Sequence, residues 1–150
     1  MKNIFDPSVT KEVIGRINTL QPGSKPLWGK MNVAQMLAHC NKIYELVYDN
    51  VHPKPNAIVK FLTKTFAKEA VVGEKPYKRN GMTAPIFVVK EEKDFEKEKQ
   101  RLIVYINRTQ LLGGTHFHNK ESHSFGRLST GEWNNMFYKH LDHHLTQFGV

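Results

Sequence analysis

The amino-acid sequence predicts an all-α fold, in which four long helices form a four-helix bundle with one long crossover. In four long segments, apolar residues recur at helical spacing. Capping residues precede these segments, and proline or glycine interrupts the chain between them. The second and third segments are separated by residues 51–93, and a connection of that length allows the two helices to run parallel. We expect residues 1–150 to form one domain.

The first two helices have well-marked beginnings. Asp6 can cap the first helix and Pro7 takes its first helical position, and "QPGSKP" ends it. Asn32 and Gln35 have the spacing of a capping box at the start of the second helix. Its apolar stripe predicts that this helix runs to about Asn50.

The middle of the chain is harder to assign than its ends. Within residues 51–93, "AIVKFLTKTFAKEA" predicts a shorter helix and "GEKPYKRNGMTAPIFVV" predicts a loop. The third long helix is predicted from about Asp94 to Leu112, because the charged stretch "FEKEKQ" outweighs the β-branched residues of "RLIVYI". After "GGTHFHNKESHSFGRL", which is predicted to be a loop, Ser129 and Glu132 form the capping box of the fourth helix.

Composition limits the class of protein. A hydrophobic content of 39% and a charged content of 24% are typical of globular chains and exclude wholesale disorder. No apolar run approaches the roughly 20 residues that a membrane span needs, and the N-terminus lacks the apolar stretch of a signal peptide. A single cysteine, Cys40, cannot form an internal disulfide. We therefore expect a cytoplasmic protein without a membrane partner.

The formal net charge of +8 raises the question of an anionic partner. The lysines are spread from Lys2 to Lys139, and the densest charged stretch, "KEEKDFEKEKQR", mixes both signs. Such a stretch is typical of a solvated helix face with ion pairs one turn apart. Nucleic acid is therefore not the expected partner, since charge alone attracts it without specificity.

Three of the eight histidines lie in one short stretch, "YKHLDHHLTQFG". At about 100° per residue, His140 and His144 are only about 40° apart on the fourth helix, on or beside its apolar face. His143 lies about 60° from His140 on the other side, in line with Met136 and Gln147, and is expected to face outward. A spacing of four residues allows His140 and His144 to bind one ion from adjacent turns.

His39 of "QMLAHCNK" is a candidate third ligand. It lies on the flank of the second helix's apolar stripe, and metal sites in bundles are built from facing helices. His39, His140 and His144 could therefore hold a metal ion and leave a position open. Two other readings remain: a core histidine bonded to a carbonyl oxygen, and a solvated helix end that favours imidazolium.

The other reactive side chains give weaker signals. His116 and His118 could chelate an ion only from an extended segment, and an exposed loop is the favoured reading. His123 could reach the mouth of the bundle or be an ordinary loop residue. Cys40 is expected to be a buried, inert thiol, and Asp142 could pair with a lysine or orient a histidine. The sequence has no glycine-rich phosphate loop, no nucleophile elbow and no paired cysteines.

Three stretches carry a resemblance to a known superfamily. "WGKMNVAQMLAHC", "RNGMTAPIFVV" and "HSFGRLSTGEWNNMFYKHLDHHLTQFG" resemble the DinB/YfiT-like superfamily, and more closely a branch of it without an assigned activity. The resemblance covers most of the chain from Trp28 onward. One departure concerns His123, which Ser124 follows where that branch tends to have proline.

The resemblance implies a fold and a site. The fold is a four-helix bundle of up-down-down-up topology. The metal would be bound by one histidine of the second helix and a His-x-x-x-His pair of the fourth, which match His39, His140 and His144. Zinc or nickel would be the first candidates, with iron and manganese as further ones, since imidazole ligands suit several metals.

These features support three functional hypotheses. The first is a metal-dependent enzyme, either an S-transferase that uses a low-molecular-weight thiol or a hydrolase, in which the ion lowers the pKa of a bound thiol or water. No residue is a clear candidate for a separate general base. The second is a non-catalytic bundle that binds a small molecule or a protein, and the third is a basic DNA-associated protein. A homodimer is the expected oligomeric state.

Overall fold

The computed structural model describes residues 1–49 and 51–150. Over these residues the chain is mostly helical, with six α-helices and one small two-stranded sheet. The elements in chain order are α1 (Pro7–Thr19), α2 (Val33–Tyr48), α3 (Ala57–Phe66), α4 (Lys68–Val72), α5 (Phe95–Phe117), β1 (Lys120–Ser122), β2 (Gly126–Leu128) and α6 (Thr130–Gln147). A short 3-10 turn, Pro85–Phe87, precedes α5.

The predicted beginnings of α1 and α2 are confirmed. The Asp6 side chain accepts a hydrogen bond from the Ser8 amide at the start of α1. Asn32 and Gln35 form both hydrogen bonds of the capping box that starts α2. This helix ends at Tyr48, and the predicted end at Asn50 lies outside the described residues.

The segment after α2 contains two helices where the sequence predicted one. Asn56 caps α3 through the Val59 amide. At Ala67 the backbone leaves ideal helical geometry, with φ −109° and ψ −21°, and α4 begins at the next residue. The following stretch up to the 3-10 turn is irregular, as predicted.

The third long helix, α5, begins where Asp94 caps the Lys97 amide. The stretch "RLIVYI" is helical, which confirms the choice of helix over strand. The prediction of an end at Leu112 is close to a real break, because Gly113 has φ 70°. The chain then resumes helical geometry as far as Phe117.

The loop predicted before α6 instead contains an antiparallel hairpin. In it, Lys120 pairs with Leu128 and Ser122 with Gly126. Strands of three residues are too short for an alternating apolar pattern to be recognised, which is why the sequence did not predict them. The capping box of Ser129 and Glu132 then starts α6, as predicted.

The contacts between helices fix their relative directions. Asn41 of α2 forms a hydrogen bond with Glu98 of α5. Further along both helices, Tyr48 forms one with Thr109, so α2 and α5 run parallel. In the same way, Ile4 ahead of α1 bonds Asn134 of α6. Arg16 near the end of α1 bonds Asp142 of α6, so α1 and α6 are also parallel.

The apolar faces of these helices meet in one core. Tyr44 of α2 stacks on Tyr105 of α5 and on Phe137 of α6, with ring centroids 5.5 and 5.2 Å apart. Trp133 and Phe117 extend this aromatic cluster towards the hairpin. Such pairs add attraction between rings to the gain from burying apolar area. The core thereby fixes the spacing of α2 and α6, the two helices that carry the histidine cluster.

Candidate metal centre

Helices α2 and α6 bring together the three histidines that the sequence analysis selected. His39 comes from α2, while His140 and His144 lie one turn apart on α6. The three ring centroids are 4.6 to 4.8 Å apart, so the rings form a nearly equilateral triangle. All three side chains are buried, and one nitrogen from each lies within 4.8 Å of the other two. This cluster could hold a metal ion.

A backbone carbonyl fixes the protonation of His39. Its Nδ1 lies 2.8 Å from the carbonyl oxygen of Phe87. A carbonyl oxygen can only accept, so Nδ1 carries the proton and donates it. Nε2 of His39 is left with a free lone pair, and it points towards the other two histidines.

An amide fixes the protonation of His144 in the same way. The Gln147 nitrogen donates to the Trp28 carbonyl oxygen at 2.7 Å, so the Gln147 oxygen must face His144. His144 Nδ1 donates to that oxygen at 2.7 Å, and its Nε2 keeps a lone pair. A hydrogen bond of this kind to the far nitrogen is the usual way in which proteins orient a metal-binding histidine.

His140 completes the triangle. Its Nε2 is 2.9 Å from Nε2 of His39. Because the His39 nitrogen carries a lone pair, this contact is a hydrogen bond that His140 donates. The pair would bind an ion through the same two Nε2 nitrogens. The proton shared between them would therefore have to leave when a metal binds.

Burial keeps the cluster neutral. Desolvation is the main cause that lowers the pKa of all three histidines, and it lowers the pKa of His144 to about 3. The positive charge that each would place on its neighbours lowers the pKa of His140 and His144 further. Neutral imidazole is the form that binds metals. Three such nitrogens suit zinc, nickel and other first-row ions, so the residues present fit the metal that the sequence predicted.

Two aromatic side chains cover the triangle. The Phe87 ring packs against His39, at 5.8 Å between centroids, and against His140. Tyr77 meets His140 edge-on at 6.3 Å. Both belong to the irregular stretch between α4 and α5. This stretch therefore supplies the carbonyl oxygen that accepts the hydrogen bond from His39, and its two aromatic rings cover the cluster.

His143 lies outside the triangle, as predicted, but it is not fully exposed. Its ring contacts Trp28 and Tyr77, with centroids 5.8 and 5.6 Å away. It lines a groove of about 420 Å³ beside the cluster, and Arg79, which lies 4.3 Å from the Trp28 ring, forms another wall. A groove of this size suits a small molecule.

The prediction that Met136 and Gln147 share an outward-facing line with His143 is wrong. Both are buried, because α6 is covered on that side by neighbouring segments as well as by the core. Sequence reasoning therefore missed Gln147 as the partner of His144. Its spacing of three residues from His144, which places two side chains on one helix face, was the signal that could have identified it.

The remaining candidates lie elsewhere. His116 and His118 are exposed near the end of α5, and His116 contacts Lys120. His123 bonds the Pro53 carbonyl oxygen and Ser124, away from the triangle. Cys40 is buried, and burial raises the pKa of its thiol, so it is unreactive as predicted. Asp142 pairs with Arg16, an arginine where the sequence suggested a lysine or a histidine.

Comparison with known proteins gives the chain a family. The family described as "Protein of unknown function (DUF1569)" matches residues 6–149, a range that contains all three histidines and Gln147. The chain belongs to the DUF1569 family. That description assigns no activity to the family. No curated protein and no solved structure matches the chain.

Within residues 1–49 and 51–150, no helix combines the length and the apolar character that crossing a bilayer requires.

Proposed function

We propose that this DUF1569 chain is a metal-dependent enzyme whose divalent transition-metal ion is held by His39, His140 and His144. The observation that carries the proposal is the arrangement of His39 and His144. Nδ1 of His39 donates to the Phe87 carbonyl oxygen, and Nδ1 of His144 donates to the Gln147 side-chain oxygen. The Nε2 lone pairs of both rings are therefore free for an ion within the buried cluster. Zinc and nickel are the first candidates, and iron and manganese are further ones.

The reaction we propose is transfer from or to a low-molecular-weight thiol, with hydrolysis as the other reaction that needs the same ligands. The ion would supply Lewis acidity, which lowers the pKa of a bound thiol or water. The chain's own residues would orient the ligands, through Phe87 and Gln147, and shield them from bulk water, through Tyr77. The groove beside His143 is the proposed place of the substrate.

We also propose a relationship to the DinB/YfiT-like superfamily and an up-down-down-up four-helix bundle in one domain. The parallel directions of α2 with α5, and of α1 with α6, support this topology. So does the antiparallel packing of α2 on α6, in which His39 meets His144 while Tyr44 meets Phe137. A cytoplasmic location and a homodimer stay predictions from the sequence.

One observation favours a non-catalytic role as the second candidate. The 2.9 Å hydrogen bond between His140 and His39 already gives these buried nitrogens partners. Buried polar groups need no more than this to be stable. In that case the cluster would stabilise the packing of α2 on α6, and the groove would bind a small molecule without converting it.

Elemental analysis of protein without a polyhistidine tag tests the proposal. We expect close to one equivalent of metal in the wild type and its loss in His39→Ala and His144→Ala. His143→Ala is the matched control, because His143 is on the same helix but outside the triangle, and it should retain the metal. Equal loss in His143→Ala and His144→Ala would exclude these ligands, and no metal in the wild type after incubation with zinc, nickel and manganese would exclude the enzyme.

A further inference from the structure

Helix α3 presents its apolar side chains to solvent. Ile58, Phe61 and Phe66 are 72%, 66% and 78% exposed, and Val59 and Leu62 are exposed beside them. We call these five side chains the α3 apolar face. Single exposed apolar residues are common on proteins, but a contiguous group of five large ones on ten residues marks a surface that something covers.

The opposite face of α3 rests on the protein. Lys60, Thr63 and Ala67 are partly buried, and Lys60 donates to the Glu121 carboxylate of β1 at 2.6 Å. Amphipathic helices on soluble proteins normally turn their apolar stripe towards the core. Here the polar stripe faces the protein, so the core does not account for the apolar one.

Lysines predominate around the α3 apolar face. Residues 51–68 contain four lysines and no aspartate or glutamate. Lys54 and Lys64 are exposed. Glu121 of β1 is bonded to Lys60, and the next acidic residue along the chain after this segment is Glu69 of α4. An exposed apolar surface with a basic border fits a partner that is itself apolar inside and anionic at its edge.

We propose that α3 binds the surface of an anionic phospholipid bilayer, with the α3 apolar face inserted between headgroups and Lys54 and Lys64 beside lipid phosphates and carboxylates. Amphipathic helices with aromatic and aliphatic side chains on one face and lysines on the other bind membranes in this way. The sequence analysis expected no membrane partner because no apolar run is long enough to span a bilayer, but a helix lying on the membrane surface needs no span. A second copy of the chain suits this face less well, because it would bring two basic borders together.

Vesicle sedimentation tests the proposal. Wild-type protein is mixed with vesicles of phosphatidylcholine alone and with vesicles that also contain phosphatidylserine. We expect binding to the second kind only, weakened by salt. Phe61→Ser with Phe66→Ser should lower the partition coefficient about tenfold or more. Lys54→Gln with Lys64→Gln should lower it roughly fivefold for each lysine.

Leu27→Ser is the matched control. Leu27 is 70% exposed, and its amide donates to the Gln147 carbonyl oxygen at the end of α6, whereas Lys60 of α3 bonds Glu121 of β1, ahead of the start of α6. This variant should bind vesicles like the wild type. Circular dichroism checks folding, which the exposed positions should not disturb. Equal binding to neutral and anionic vesicles, or equal binding by the wild type and the phenylalanine variant, would overturn the proposal. The proposal would also be overturned if the wild type did not bind vesicles but formed a dimer that Phe61→Ser with Phe66→Ser dissociates. A second copy of the chain would then cover the α3 apolar face.

Discussion

The Gln147 oxygen accepts a hydrogen bond from His144 Nδ1 at 2.7 Å, while the Gln147 nitrogen donates to the Trp28 carbonyl oxygen. These two bonds join α6 to the segment that precedes α2, and they leave His144 Nε2 as the only nitrogen of that ring able to bind an ion. Gln147 therefore determines both the orientation and the protonation of one proposed ligand.

Gln147→Leu should weaken metal binding without abolishing it. Leucine cannot accept a hydrogen bond from His144 Nδ1, so the ring loses its fixed orientation. Loss of such a partner typically lowers metal affinity by about 10- to 100-fold. Competition with a chelating dye measures the affinity. Gln110→Leu, the same change on α5 away from the cluster, serves as the control and should bind metal like the wild type. Identical affinity in both variants would show that Gln147 does not orient His144.

Gly29→Ala should act through Gln147. Gly29 has φ 86°, and a Cβ atom there would overlap the Gln147 nitrogen. Alanine should therefore lower the melting temperature and displace the amide from Trp28. Gly23→Ala is the control, since a Cβ atom there meets no neighbour. If the two residues act together, adding Gly29→Ala to Gln147→Leu should lower metal affinity no further. Additive losses would mean that Gly29 acts by another route.

Much of the fold was predictable because local signals agree with the tertiary structure. Local side chains cap three of the helices, namely Asp6 at α1, Asn32 at α2 and Ser129 at α6. Each accepts a hydrogen bond from an amide only two or three residues further along, so the pattern is visible in the sequence. The pairing of His140 with His144 was predictable for a related reason, whereas His39 was selected from its place on the second helix and from the family resemblance. A spacing of four residues places two rings on one face whatever else the protein does.

The remaining features depend on contacts between distant segments. The position of Phe87 over His39 follows from the path of an irregular stretch, which no periodicity encodes. The hairpin between α5 and α6 is too short to carry a strand pattern. Periodicity identifies the apolar stripe of α3 but not the direction in which it points, because that direction depends on contacts of α3 with distant segments, such as the one from Lys60 to Glu121.

Metal-free protein should lose stability as the pH falls below 6.5. Burial holds the pKa of His144 at about 3 in the folded chain, against about 6.5 when unfolded, so the unfolded state binds more protons between these values. The free energy of unfolding should fall by up to about 1.4 kcal/mol per pH unit for this residue. The stabilisation is complete above the unfolded pKa and is lost as the pH approaches the folded one.

Urea unfolding between pH 7 and pH 5 measures this dependence. His144→Gln removes the titrating group but keeps a polar side chain. Its unfolding should therefore take up about one proton fewer than that of the wild type, and its free energy of unfolding should depend less steeply on pH. His118→Gln is the control, because His118 is exposed. Parallel curves for His144→Gln and the wild type would contradict the assignment.

Lys139→Met should loosen the segment that covers the histidine cluster. The Lys139 ammonium is buried and donates to the carbonyl oxygens of Ala70, Gly73 and Lys75, and it lies 4.7 Å from the centroid of the Tyr77 ring. Methionine has nearly the same shape but leaves these carbonyls without a donor. The free energy of unfolding should fall by about 2 to 3 kcal/mol.

Hydrogen exchange locates the effect of Lys139→Met. Amides of residues 70–77 should exchange faster in the variant, while those of α5 should change less, because α5 makes no bond to Lys139 among the described residues. Lys11→Met, on the exposed side of α1, is the control and should alter neither quantity. If both variants behaved alike, Lys139 would not hold this segment in place, and the position of Tyr77 against His140 would need another cause.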